Sequence, residues 1–187
     1  MRKRWIVSYV KEEKQPDFHI TALHFSNKKI DNFEIKDRGA IYFMEHQGYD
    51  SGFPVKSGSY KELKEEKNIE DDWESGLAHE GWYYGDYVNV VELETDKSKI
   101  LDLRNKKNRE WLIENVEDFK DMNLEEDESE IEELMDNFYD NPQEVNVNKA
   151  AREKGYDIVI YEDQSEGNPY NSYAVVNPNI IKENWRY

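Results

Sequence analysis

The clearest alternation in this chain lies in "YVNVVELET", residues 87–95, where Val88, Val90 and Val91 are followed by Leu93. Apolar residues at a period of about two mark a strand packed on a core. The segment is read as a central strand, with "ILDL" (100–103) paired or packed beside it. A central strand commits the chain to a sheet, so the remaining segments are read as its neighbours or its cover.

"RWIVSYV" (4–10), "FHITALHF" (18–25) and "GAIYF" (39–43) read as strands, the first two separated by a turn at Pro16. The stretch 27–35 is a polar connection whose Ile30 and Phe33 tuck back to the core. Residues 48–60, with three glycines and a proline, form a long loop or lid, and 61–75 a charged helix. Trp111, Leu112, Val116 and Phe119 fall at helical spacing within 108–119, as do Ile131, Leu134, Met135 and Phe138 in the next segment. A third helix ends at Gly155, a glycine suited to a left-handed cap, and strand 158–161 follows. The strand in "NSYAVVNP" stops at Pro178, ahead of a short tail. Strands in succession with helices in the middle give an α+β domain with a mostly antiparallel sheet. Neither a repeat nor a linker divides residues 1–187.

The sequence carries 42 acidic and 25 basic residues, for a net charge of −17. The excess is local. Between Glu114 and Glu144 stand fourteen acids against Lys120 alone, a net −13 over 31 residues. Apolar stripes within this run make it an acidic helical insertion, about 108–144, rather than a linker. A chain so charged is repelled by phosphate backbones, which excludes nucleic-acid binding through a basic face. A protein target with a basic surface is the expected partner. Only 37% of residues are hydrophobic, but 13% are aromatic, so rings carry much of the burial. There is no cysteine, which excludes disulfides and thiolate metal sites and suits a reducing compartment. With no apolar run near the ~18 residues of a membrane span and no signal-peptide core, the expected location is cytoplasmic.

No glycine loop for phosphate and no nucleophile elbow is present. His19, His46 and His79 lack metal-ligand spacing, and the acidic run lacks the glycine of a calcium loop, so no metal is expected. Three strands each carry a group that a core does not need: "ALHFS", "GAIYF" and "YNSYAVVNPNII". Together with "KAAREKGYDIVIYED", their order and spacing resemble the ADP-ribosyltransferase fold. The resemblance is to the branch of diphtheria toxin and the poly(ADP-ribose) polymerases, and to transferase-like domains of phage and mobile elements. It spans residues 22–43 and 149–181, with a weaker echo at 89–103.

That resemblance implies a split, mostly antiparallel sheet and NAD as substrate. By position it makes His24 the histidine that bonds the adenosine ribose and Tyr42 the ring that lines the nicotinamide pocket. Phe25 stands where the family has a glycine close to the nicotinamide amide, and Ser26 where it has threonine or serine. Tyr49, or Tyr60, is the candidate for a second ring. Ser172 occupies the place of the catalytic glutamate and supplies no negative charge to an oxocarbenium-like sugar. A carboxylate at Asp163 or Glu166 is the nearest replacement. Two functions follow: an NAD-dependent mono-ADP-ribosyltransferase acting on a macromolecule, or an inactive relative whose acidic surface inhibits a host nucleic-acid-binding or defence protein. Each singled-out residue also has a plain explanation, as a strand-end histidine, a core tyrosine and a sheet serine.

Overall fold

A computed structural model describes residues 15–45, 57–59, 87–122, 143–163 and 170–183. Its frame is one mostly antiparallel sheet of eight strands. They are β1 (Phe18–Ser26), β2 (Ile41–Glu45), β3 (Gly58–Ser59), β4 (Tyr87–Thr95), β5 (Ile100–Asp102), β6 (Ile158–Asp163), β7 (Tyr170–Val175) and β8 (Ile181–Glu183). The order is β3-β4-β1-β2-β7-β6-β5, with β8 beside β3 on the outer side of β4. The ladder is continuous, where the resemblance implied a split sheet.

The longest pairing joins β1 to β4 over nine antiparallel residue pairs, Phe18 with Thr95 through Ser26 with Tyr87. Val88, Val90, Val91 and Leu93 are all buried, as the alternation required. The middle of the sheet, however, is β2, and β4 lies one strand in from the edge. Its outer side meets β3 at one end and β8 at the other. Between them the Ser57 hydroxyl accepts from the Val90 amide at 2.8 Å and so covers a backbone donor that lacks a strand. β8 falls in the segment read from sequence as a tail.

Among the described strands β5 and β6 are the one parallel pair, a geometry that needs a crossover rather than a hairpin. The crossover carries two described helices, α1 (Lys106–Asn115) and α2 (Gln143–Glu153). Asn105 caps α1 by accepting from the Lys107 amide at 3.1 Å. The helix ends at Val116, and residues 117–119 form a short 3-10 turn that still buries Phe119. α2 ends in Gly155 at φ 85°, the left-handed cap expected. Expected elements at 4–10, 61–75 and 127–140 lie outside the described residues.

Both faces of the sheet are buried over part of their area. Leu112, Val116, Phe119, Val147 and Ala151 cover Leu101, Leu103, Val159, Tyr161 and Ala174 on the helical side. On the other side Ala22, Ile41, Phe43, Leu93, Ile160 and Val175 pack against Ile180 and, from the 27–40 connection, Phe33 and Ile35. Among the described residues no helix is long and apolar enough to cross a membrane.

"GYD" at 155–157, within the "KAAREKGYDIVIYED" segment that carries the resemblance, has a structural role at all three positions. Gly155 ends the helix, and the Tyr156 ring meets Trp111 of α1 edge-on at 5.7 Å. Asp157, only 4% exposed, accepts from the Thr95 hydroxyl at 2.5 Å and the Asn177 amide at 2.7 Å, with the Lys99 ammonium at 3.4 Å. Its own carbonyl accepts from the Val176 amide at 2.9 Å. One carboxylate thus ties the ends of β4 and β7 to the start of β6. Asp157→Ala removes these bonds and strands the buried Thr95 hydroxyl, so unfolding in urea is expected to show a loss of about 2–4 kcal/mol.

Candidate functional site

His24 projects from β1 to the face opposite the helices. Its Nδ1 lies 2.7 Å from the main-chain carbonyl of Tyr42. A carbonyl only accepts, so Nδ1 carries the proton and the neutral ring leaves Nε2 as an acceptor. The ring stands edge-on to Phe33 at 5.5 Å and tilted to Phe43 at 5.4 Å, and those two rings are themselves 5.4 Å apart. Burial among them holds the imidazole pKa below its ordinary value; the bond to Tyr42 opposes that shift and Lys36 adds to it. Asn89, 3% exposed, braces the strand from the β4 side. Its amide donates to the His24 carbonyl at 3.1 Å and the Ser26 hydroxyl at 2.9 Å.

Tyr42 leaves β2 on the helical face. Its ring meets Tyr161 edge-on at 6.4 Å, and its hydroxyl accepts from the Asn148 amide at 2.6 Å. The same hydroxyl bonds to the Glu144 carboxylate, and burial and that carboxylate both raise the phenol pKa. Asn148 also donates to the Arg38 carbonyl at 3.1 Å. Glu144 is 2% exposed and Asn148 fully buried. A chain of polar bonds therefore runs from the loop before β2 through Tyr42 into α2. Gly39 suits the turn that leads into this contact because its φ of 73° lies in the left-handed region that L side chains rarely adopt.

The expected convergence of His24 and Tyr42 on one hollow is corrected by this geometry. Phe43, next to Tyr42, shares the imidazole's face, and strand neighbours alternate, so phenol and imidazole lie on opposite sides of the sheet. Phe25 shares the tyrosine's side and is packed with Leu23, Met44, Val88 and Val90, where a glycine would leave room. Ser26 spends its hydroxyl on the Lys28 carbonyl at 2.6 Å, closing a turn. Ser172 pairs with Met44 and Tyr161, which puts it on the tyrosine's face without a carboxylate. Tyr49, Tyr60, Glu166 and the Asp163 side chain lie outside what the structure describes.

Sequence reasoning missed two polar sets. Glu144, Val147, Asn148 and Ala151 form the inward stripe of α2, all buried. That i, i+3, i+4, i+7 spacing was legible, but Glu144 was counted with the solvated acids. On the opposite face Glu45, Asn171, Tyr173, Arg104 and Asp102 form a network across β2, β7 and the end of β5. Arg104 forks onto Asp102, with Nε to Oδ1 at 2.8 Å and a terminal nitrogen to Oδ2 at 2.7 Å. It also donates to the Asn171 carbonyl oxygen, and the Asn171 amide donates to Glu45. Tyr173, 3% exposed, has its phenol pKa raised by burial and by the neighbouring Glu45 carboxylate, to which it is hydrogen-bonded. No group of three or more potential metal ligands occurs among the described residues.

No known protein-family model, curated protein or solved structure matches this chain.

Two outcomes test this geometry. Tyr42→Phe deletes the hydroxyl that Glu144 and Asn148 share, and chemical denaturation is expected to show a loss of about 1–3 kcal/mol. For His24 the sign follows from its depressed folded pKa. Above pH 6.5 both folded and unfolded chains are neutral there. Below it the unfolded chain takes a proton that the folded chain refuses, so stability falls as pH drops through 6.5 and levels off below the folded pKa. His24→Gln should flatten that slope relative to the parent in unfolding curves recorded between pH 7 and about 5. An unchanged slope would show that His24 is not buried neutral.

Proposed function

We propose that this chain is a binding protein on an ADP-ribosyltransferase-like frame, whose acidic surface occupies a basic, nucleic-acid-binding site of another protein. One observation carries the reading: the histidine and tyrosine that a nicotinamide pocket needs sit on opposite faces of the sheet. Three features agree with it. Phe25 fills the tyrosine's side with apolar contacts, Ser172 brings no carboxylate, and the Tyr42 hydroxyl is spent on α2. What the chain has in excess is charge, net −13 between Glu114 and Glu144. Such a surface attracts a basic partner from a distance and competes with polyanions for it. Inhibition of a host defence or other nucleic-acid-binding protein, by a phage or mobile element, is the biological setting that fits.

A second reading, NAD-dependent ADP-ribosyl transfer, draws on one feature. His24 keeps an acceptor nitrogen beside two phenylalanine rings, as a ribose-binding histidine requires. Radiolabelled NAD incubated with the protein and host lysate separates the two. The binding reading expects no label on any macromolecule and no heat from NAD at millimolar concentration. Transfer of label would overturn it. In the same lysate a basic partner should be captured at low salt and released at high salt. Reversing the acids between Glu125 and Glu133 should abolish that capture, whereas capture indifferent to the reversal would remove the charge argument.

A further inference from the structure

Among the described residues Glu45 is a carboxylate with no ion pair. It is half-buried at the end of β2, on the face shared by His24 and Phe43, and it sits across the ladder from Asn171. Its hydrogen bonds come from neutral donors, the Asn171 amide and the Tyr173 hydroxyl. Arg104, whose charge reaches Glu45, is committed to Asp102 in a two-pronged pair. The Asn171 amide stands between that pair and Glu45. Among the described residues no ion pair reaches Glu45.

The consequence follows from charge counting. Asp102 and Arg104 cancel, so the five-residue network keeps the single negative charge of Glu45. A carboxylate offers about four lone-pair positions, and two are filled here. The rest of the network fixes how the others point. Asp102 holds the plane of Arg104, Arg104 holds the Asn171 carbonyl oxygen, and that bond turns the Asn171 N–H toward Glu45. A preoriented, partly desolvated carboxylate with unfilled acceptor positions suits a charged donor, and a planar guanidinium can fill two positions at once where an ammonium makes one directed contact.

We propose that Glu45 receives one basic side chain, arginine in preference to lysine, from the protein partner. The assignment rests on the binding reading above and gives it a specific contact on the opposite side of the sheet from α1 and α2. The acidic run attracts the partner, and Glu45 fixes one of its side chains.

The test uses the full chain and N-acetyl-arginine amide as probe, followed by NMR. The probe is expected to shift the side-chain amide resonances of Asn171 and to bind more tightly than its lysine counterpart. Glu45→Gln should weaken it about ten-fold, the effect of losing a charge-assisted hydrogen bond. Asp102→Asn provides a second variant. It releases Arg104 to compete for Glu45 and should also weaken the probe. No shift at Asn171 in the parent chain overturns the assignment, as does equal affinity in a folded Glu45→Gln. Partner capture that survives Glu45→Gln but not reversal of the Glu125–Glu133 acids also overturns it, while leaving the acidic-surface reading intact. Label transfer from NAD removes the acidic-surface reading and with it the assignment of Glu45 to that partner.

Discussion

Tyr42 gives its side chain to one face of the sheet and its carbonyl to the histidine of the other. The hydroxyl reaches Asn148 and Glu144 on α2, and the carbonyl receives the Nδ1 proton of His24. β2 is the middle strand, so both contacts act at the centre of the molecule. On the helical side they place α2, and with it the crossover that makes β5 and β6 parallel. On the other side they place the imidazole between Phe33 and Phe43, which pins the connection that leads into β2. A buried carboxylate is costly unless it is hydrogen-bonded, so Glu144 makes the position of Tyr42 obligatory. The tyrosine that looked like a ligand residue therefore has a place the fold itself requires.

The same holds for other residues that carried the resemblance. Gly155, Tyr156 and Asp157 stop a helix, pack on Trp111 and knot three strand ends. Asn177 accepts from the Asn179 amide at 3.2 Å to start the 3-10 turn at Pro178, while its amide serves Asp157. A motif made of such residues would persist in any chain that kept this topology, whether or not it kept chemistry. Residues that only chemistry would require are a different set. At the positions where the resemblance would put a glycine and a glutamate, the chain has Phe25 and Ser172.

Local periodicity made the skeleton legible. β1, β4, β6, β7 and the end of α2 follow from alternation, from Pro178 and from Gly155, whereas β5, expected beside β4, pairs instead with β6 at the far edge of the sheet. β2 starts at Ile41 rather than at Gly39, because that glycine is used in a left-handed turn under α2. α1 is shorter than its apolar stripe, because the chain turns extended at Val116 and delivers Phe119 through a 3-10 turn. β8 was not legible. It is three residues long and exists because the outer side of β4 lacks a partner there. The site was less legible than the skeleton. Sequence spacing says that His24 and Tyr42 are close along neighbouring strands, which is correct, but the face each takes depends on register. With Leu23 opposite Met44, His24 shares its face with Phe43, and the tyrosine goes to the other side.

Charge is arranged unevenly in a way that bears on how the chain meets a partner. Within the described elements, four cations are spent on nearby acids: Lys99 on Asp157, Arg104 on Asp102, Lys120 on Glu117 and Lys29 on Asp31. Pairs of this kind cancel at a distance. The surplus that gives the chain its −17 is therefore concentrated, and much of it falls between α1 and α2 in sequence. A field from clustered acids reaches beyond single pairs, but at physiological ionic strength it fades over about 8 Å. It can steer a basic surface to the molecule, yet it carries little information about which basic surface has arrived. On the proposed reading, discrimination has to come from short-range groups held in fixed geometry, the role proposed for the Glu45 carboxylate.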